Sequence, residues 1–236
     1  MRPAEGLARR FAVVARTKVK IFIVGISGET GFRLARLLKE RGDEVDGLYR
    51  RAEQSEKLRE IAVTGAQGDL VLIDETKLAT HFAGSHVIVF TAGAGESDDD
   101  AMIDAIDGDG VTKSIVAARR AGIKRFILVS VFPEAGRQEG WGESFEHYIA
   151  VKKRADVELS RTELDWVILR PSSLNNERGV GTISLGPVEF HTDIRRDDVA
   201  ATISEIVHTP ALRRQILELT EGTTPIARAV RMQTAG

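Results

Sequence analysis

The stretch that decides the fold is IFIVGISGETG, residues 21–31, followed by FRLARLLKERG, residues 32–42. A β-branched apolar run reads as a buried strand, and apolar residues recurring every three to four positions read as an amphipathic helix. Between the two stand Gly25, Gly28 and Gly31. A glycine turn that feeds a helix leaves several backbone N–H groups unpaired and pointing one way, at the positive end of the helix dipole. That arrangement suits a pyrophosphate. Gly25 permits the turn, Gly28 lets phosphates approach the backbone, and Gly31 lets the helix sit close to the strand. Ser27, Glu29 and Thr30 complete the set of binding candidates in this turn. The strand before it and the helix after it are the context a dinucleotide-binding motif requires. A glycine turn that serves only the backbone is the alternative.

The chain has 236 residues, enough for one α/β domain with a substantial core. A net charge of −2 gives no electrostatic reason to expect nucleic acid or an anionic membrane as partner. The absence of cysteine excludes disulfides, thiol nucleophiles and thiolate metal sites, and a cytoplasmic location is expected. No apolar run approaches the roughly 20 residues that span a bilayer. Residues 1–17 are Arg-rich and precede the first strand. They read as a loosely ordered extension or an upstream start, with a short amphipathic targeting segment as the alternative. Residues 18–236 then form a single domain.

Apolar runs alternating with helical patterns imply a doubly wound parallel sheet covered by helices. Strands are expected at 19–24, 44–49, shortly before Asp69, 86–91, 125–130 and 166–170. Helices are expected at 30–41, 55–62, 74–82, 101–121 and 143–161, with Gly42 and Gly122 as C-caps. Pro171 ends its strand. Glycines at 179, 181 and 186, with Pro187, then punctuate a loop or hairpin, followed by a helix at 196–208 and a strand at 215–220. This last part reads as a small substrate region over the sheet's C-terminal edge.

Strand 2 runs into Arg50 and Arg51. A free ribose 2′-hydroxyl wants an acidic residue at this point, whereas a 2′-phosphate wants arginine. The nearest acid, Asp46, lies earlier in the strand, so NADP(H) is expected over NAD(H). Asp69, followed by Leu70, would accept a hydrogen bond from adenine or simply close a turn. Thr91, Ala92 and Gly93 follow strand 4, where small residues would let a cofactor cross the sheet edge. Tyr148 and Lys152, at i and i+4, share a helix face. An ammonium beside a phenol would lower its pKa from near 10 and suit it to trade protons during hydride transfer.

The glycine spacing, IDGDG at 106–110, AGIKRFILVS at 121–130, the Tyr148/Lys152 pair, LDWVILRPSSL at 164–174 and RRDDVA at 195–200 together carry a resemblance. The chain resembles an atypical short-chain dehydrogenase/reductase, of the NmrA-like and NAD-dependent epimerase/dehydratase-like branch that includes flavin and biliverdin reductases. The resemblance implies a Rossmann fold. It implies that Lys152 holds the nicotinamide ribose and that Pro171, Ser172 and Ser173 line the nicotinamide, with Asp107 and Arg196 structural. The family's catalytic Ser or Thr is sought just beyond strand 5, where only Ser130 is available before Val131, Phe132 and Pro133. Ser130 is therefore open to three readings: catalytic, touching the nicotinamide, or closing the strand.

Residues 96–100 are acidic and precede a helix, which reads as a solvated N-terminal cap. The five histidines, at 81, 86, 147, 191 and 208, have no ligand spacing, so no metal is expected. His147 reads as a helix-surface residue, with a place in the site as the alternative, and Trp141 would cover a planar substrate or act as an ordinary anchor. The sequence thus predicts an NADPH-dependent oxidoreductase acting on a small flavin, quinone or carbonyl compound. A non-catalytic NADP(H)-sensing regulator is second and a nucleotide-sugar epimerase or dehydratase third. The short region after Pro171 weighs against the third, and nothing in the sequence fixes the oligomeric state.

Overall fold

The computed structural model describes residues 18–95, 99–133 and 142–234. The N-terminal extension, residues 96–98 and Trp141 lie outside that set. The elements run β1 (Lys20–Val24), α1 (Glu29–Arg41), β2 (Glu44–Tyr49), α2 (Gln54–Glu60), β3 (Ala66–Gln67), α3 (Glu75–Phe82) and β4 (Val87–Phe90). There follow α4 (Asp100–Ile103), a π-helical turn (Asp104–Asp109), α5 (Gly110–Arg120), β5 (Arg125–Val129), α6 (Glu143–Ser160) and β6 (Asp165–Pro171). The chain ends with β7 (Ser173–Asn175), β8 (Thr182–Gly186), β9 (Asp193–Arg195), α7 (Arg196–Val207), β10 (Gln215–Glu221), β11 (Thr224–Pro225) and α8 (Ile226–Met232).

Among the described residues, nine strands form one sheet in the order β11-β8-β10-β6-β5-β4-β1-β2-β3. The seven from β10 to β3 pair in parallel, as the expected Rossmann architecture requires. β1 is flanked by β2 and β4, so the order reverses there. Open α/β sheets bind ligands in the crevice at such a switch point, outside the carboxyl ends of the strands. The apolar run of β1 is continuous because both faces are covered. Ile21 and Ile23 pack into the core beneath α1 and α7, while Phe22 and Val24 pack into the core that includes α3 and α5 residues.

The sequence expectations need correction in two regions. The helix expected over 101–121 is broken by the π-helical turn, which places Asp107 inward and fully buried. Gly108 and Gly110 explain why the neighbours close over this turn. A Cβ at Gly108 would stand 3.2 Å from Val151, and one at Gly110 would stand 2.9 Å from Leu70. The second region follows Pro171. In place of one loop or hairpin, β8 runs antiparallel to β10, β7 pairs in parallel with β9, and β11 and α8 close the chain. Short strands closed by glycine turns give little periodicity to read. Gly42 and Gly122 have the expected positive φ beyond α1 and α5.

Arg125, at the start of β5, holds the C-terminal part against the sheet. Its buried guanidinium donates to the carbonyl of Leu212 at 2.5 Å, of Ile206 at 3.1 Å and of Asp165 at 3.3 Å. Burial lowers its pKa to about 10, opposed by Asp165, so it remains a cation at neutral pH at the carbonyl end of α7. Arg125→Met would strand those carbonyls. The expected loss is about 2–4 kcal/mol of stability, read as a lower urea midpoint; an unchanged midpoint would contradict this role.

Candidate functional site

The cradle forms where β1 meets α1. Gly25 has φ +86°, and a Cβ there would stand 2.7 Å from the Ala92 nitrogen. A Cβ on Gly31 would stand 2.3 Å from the Gly25 carbonyl oxygen. Thr91 locks the turn, its amide and hydroxyl donating to the Val24 carbonyl at 2.9 and 3.1 Å. Close packing therefore demands glycine at 25 and 31. Gly28 differs. Its Cβ position meets only the Gly25 carbonyl, at 3.3 Å, and is otherwise open. Gly28 is the N-cap of α1, in extended conformation and without a side-chain cap. The first-turn amides of Glu29, Thr30 and Gly31 have no intrahelical acceptor. An open approach to uncapped amides fits a pyrophosphate, and Ser27 lies half-buried at its rim.

Arg50 and Arg51 are exposed beyond β2, and both amides donate to Gln54 Oε1. Arg51 also pairs with Glu53 at 2.9 Å, while the Arg50 guanidinium has no ion pair among the described residues. Asp46 bonds the amide of Gly47 and stays within β2. Asp69 Oδ1 accepts from the Val71 amide at 2.9 Å, so this carboxylate does close a turn; Leu70 is buried against Gly110.

Tyr148, Lys152 and Asp156 follow one another at four-residue intervals on α6, so they share a face. Lys152 is 3% exposed. Its ammonium donates to the Val129 carbonyl at 3.0 Å and to Asp107 Oδ1 at 3.2 Å. Asp107 Oδ2 in turn accepts from the Ala94 amide at 2.9 Å, beside Gly93. Asp107, read as merely structural from the resemblance, thus joins the lysine to the loop after β4. Its position in the π-helical turn gave the sequence reading no cue to this.

The expectation for Tyr148 is corrected in sign. Burial pushes its phenol above the ordinary value of 10, and Asp107 and Asp156 push the same way; Lys152 opposes without prevailing. The ammonium stands 6.0 Å from the centre of the ring and is already paired with a carboxylate. Burial likewise raises Asp156, which Ser130, Arg170 and Lys152 draw down. Asp156 Oδ2 accepts from Arg170 Nε at 2.9 Å. Ser130 is buried and its hydroxyl faces Asp156, though no hydrogen bond of normal geometry joins them.

Beyond β6, the Pro171 carbonyl accepts from the Phe132 amide at 3.2 Å. The Ser172 hydroxyl is turned to the Thr192 backbone, donating to its carbonyl and accepting from its amide. Ser173 Oγ lies 3.3 Å from His191 Nε2, and the His191 ring meets Phe132 edge-on at 5.3 Å. His191, unmarked by any spacing in the sequence, therefore stands over the strand ends. His147 pairs with Asp104 at 3.2 Å on the helix surface. Asp99 caps α4, accepting from the Met102 amide at 3.0 Å. Among the described residues no group of three acidic or histidine side chains is placed to hold a metal, and no helix is long and apolar enough to cross a membrane.

Residues 25–210 match the model of the NAD(P)H-binding family. A Bacillus subtilis protein named uncharacterized sugar epimerase YhfK is 36% identical over 216 residues, covering 90% of this chain and 99% of that protein. A Bacillus halodurans structure, provisionally named an NAD-dependent epimerase/dehydratase, superposes with TM-score 0.82 at 32% identity, covering 91% and 99% of the two chains. ChuY from Escherichia coli O157:H7, described as an anaerobilin reductase, superposes with TM-score 0.71 at 26% identity, covering 86% and 97%. The chain belongs to the NAD(P)H-binding family, and the relatives it resembles carry epimerase, epimerase/dehydratase and reductase names.

The direction of the Tyr148 shift is directly measurable, since the chain has only two tyrosines. Ultraviolet difference titration of the protein and of Tyr148→Phe should assign Tyr148 a midpoint above 10. A midpoint below that value would mean that Lys152 controls the phenol after all.

Proposed function

With that membership as the premise, we propose that the protein is an NADPH-dependent reductase of a small flavin, quinone or carbonyl compound. The observation that carries the reading is the uncapped α1 N-terminus, open on the side of Gly28. The amides of Glu29, Thr30 and Gly31 would hold the pyrophosphate, with Ser27 at its rim, and Arg50, helped by Arg51, the 2′-phosphate. Asp69 and Leu70 would border the adenine. Thr91, Ala92 and Gly93 would pass beneath the cofactor, and Pro171 to Ser173 would border the nicotinamide. An ammonium has three donors, and Lys152 commits two of them to protein oxygens, leaving one for a ribose hydroxyl. When bound, the nicotinamide supplies a hydride; the protein's part is to bind, orient and exclude water.

The raised phenol of Tyr148 favours reduction over epimerisation. An epimerase must take a proton from a sugar hydroxyl, and a phenol that stays protonated at neutral pH is a weak base for that step. The name of the E. coli neighbour supports a reductase; the names of the two Bacillus proteins support the epimerase alternative. A cofactor-sensing regulator would bind NADPH tightly and turn over no acceptor.

Three measurements test this reading. Gly28→Val should abolish NADPH binding while the thermal transition survives, because a branched side chain would fill the open approach. NADPH should bind about tenfold or more tightly than NADH, and Arg50→Ala with Arg51→Ala should erase the difference, given about 1.5–3 kcal/mol for a charge-assisted bond. Equal affinities in the unmodified protein would sink the NADP assignment. Tyr148→Phe should leave cofactor affinity nearly unchanged and cost less than about tenfold in rate on a flavin or quinone, whose product solvent can protonate. A loss of about 10²–10⁴ on an aldehyde would instead identify a conventional tyrosine proton donor.

A further inference from the structure

Glu29 opens α1 beside the proposed phosphate seat, and its carboxylate is 55% exposed. A carboxylate there repels the anion that the helix N-terminus would attract. Arg33, one turn on, answers it. Arg33 Nη1 donates to the Glu29 carboxylate at 2.5 Å and to its backbone carbonyl at 2.8 Å. The same guanidinium reaches out of the helix. Its Nε donates to Asp197 Oδ1 at 2.9 Å, and its Nη2 lies 3.4 Å from Asn176 Oδ1. Asp197 Oδ2 accepts from the Gly179 amide at 3.1 Å, and Asp198 accepts from the amides of Val180 and Gly181 at 3.0 and 2.8 Å. Arg33 is therefore the junction between the glycine turn and the 176–181 loop of the C-terminal region. Lys57 and Arg196 also face Glu29, and with Arg33 they hold its carboxyl below the ordinary range. It stays charged at neutral pH, so its masking depends on these cations.

We propose that Arg33 is a positioning residue for the dinucleotide, cancelling the Glu29 charge at the mouth of the seat and tying that seat to the 176–181 loop. The proposal rests on the reading of the glycine turn as the NADPH seat. It assigns two separable tasks to one side chain. Masking needs only a positive charge. The tie needs the guanidinium fork, because one group must meet Glu29, Asp197 and Asn176 together.

A substitution series separates these tasks, with NADPH affinity read by fluorescence titration and loop exchange read by hydrogen–deuterium mass spectrometry. Arg33→Met should weaken NADPH binding about tenfold, a magnitude suited to one unmasked, solvent-screened charge near a phosphate. Adding Glu29→Gln to Arg33→Met should recover most of that loss, which a merely structural arginine would not allow. Arg33→Lys should keep the affinity within about threefold of the unmodified protein, since the charge is retained. In the unmodified protein NADPH should slow exchange in peptides spanning 176–181; in Arg33→Met and Arg33→Lys it should not. An undiminished affinity in Arg33→Met, or a loss that Glu29→Gln leaves in place, overturns the masking role. Equal loop protection in all three proteins overturns the tie. Failure of the unmodified protein to bind NADPH overturns the underlying cofactor reading itself.

Discussion

The buried carboxylate of Asp107 is the constraint on which the site depends. One oxygen meets the Lys152 ammonium and the other meets the Ala94 amide, so a single side chain joins α6, the π-helical turn and the loop that leaves β4. A carboxylate in that interior costs several kcal/mol to desolvate unless both oxygens are satisfied, and here both are. The lysine faces the same demand, met by Asp107 and the Val129 carbonyl. Neither charge stands without the other. The π-helical turn makes the exchange geometric, since the extra residue rotates Asp107 inward and leaves α5 to resume on its usual face.

Burial governs the phenol. It raises the pKa of Tyr148 more than the Lys152 ammonium lowers it, and the carboxylates of Asp107 and Asp156 add to the rise. Asp156, one turn beyond Lys152, adds a second acidic group and is itself drawn toward Arg170. The face that looks like an activated tyrosine–lysine pair in sequence is therefore a near-neutral network of two cations and two carboxylates. Its electrostatic sign is set by residues on other elements.

This is why the site was only half legible in the sequence. The glycine turn could be read because three positions with different steric demands fall at a fixed spacing between a strand and a helix. Each of those demands recurs in the structure: positive φ at Gly25, close approach at Gly31, open space at Gly28. The parallel sheet could be read for a similar reason, since strands covered on both faces are continuously apolar. Asp107 could not be read, because a π-helical turn leaves no periodic trace and its partners lie 13 and 45 residues away. The inward turn of the Ser172 hydroxyl could not be read either. Its partner, Thr192, belongs to a region whose three- to five-residue strands alternate too briefly to show a pattern.

The strand order has a consequence for how the chain comes into being. β1 to β6 can pair as they leave the ribosome, each finding its neighbour among segments already made, except for the free edge of β6. That edge waits for β10, which begins at Gln215, and β8 pairs only with β10 and β11, both made after it. The wall of the crevice beyond β6 is thus closed last, once β10 is made and joins β6 to β8. During synthesis the nascent protein carries the paired strands β1 to β6 with an open sheet edge, while α1 still waits for α7, whose residues share its core. Vectorial synthesis therefore fixes an order of maturation, in which the strands around β1 are paired long before the molecule has a closed side against which a second ligand could rest.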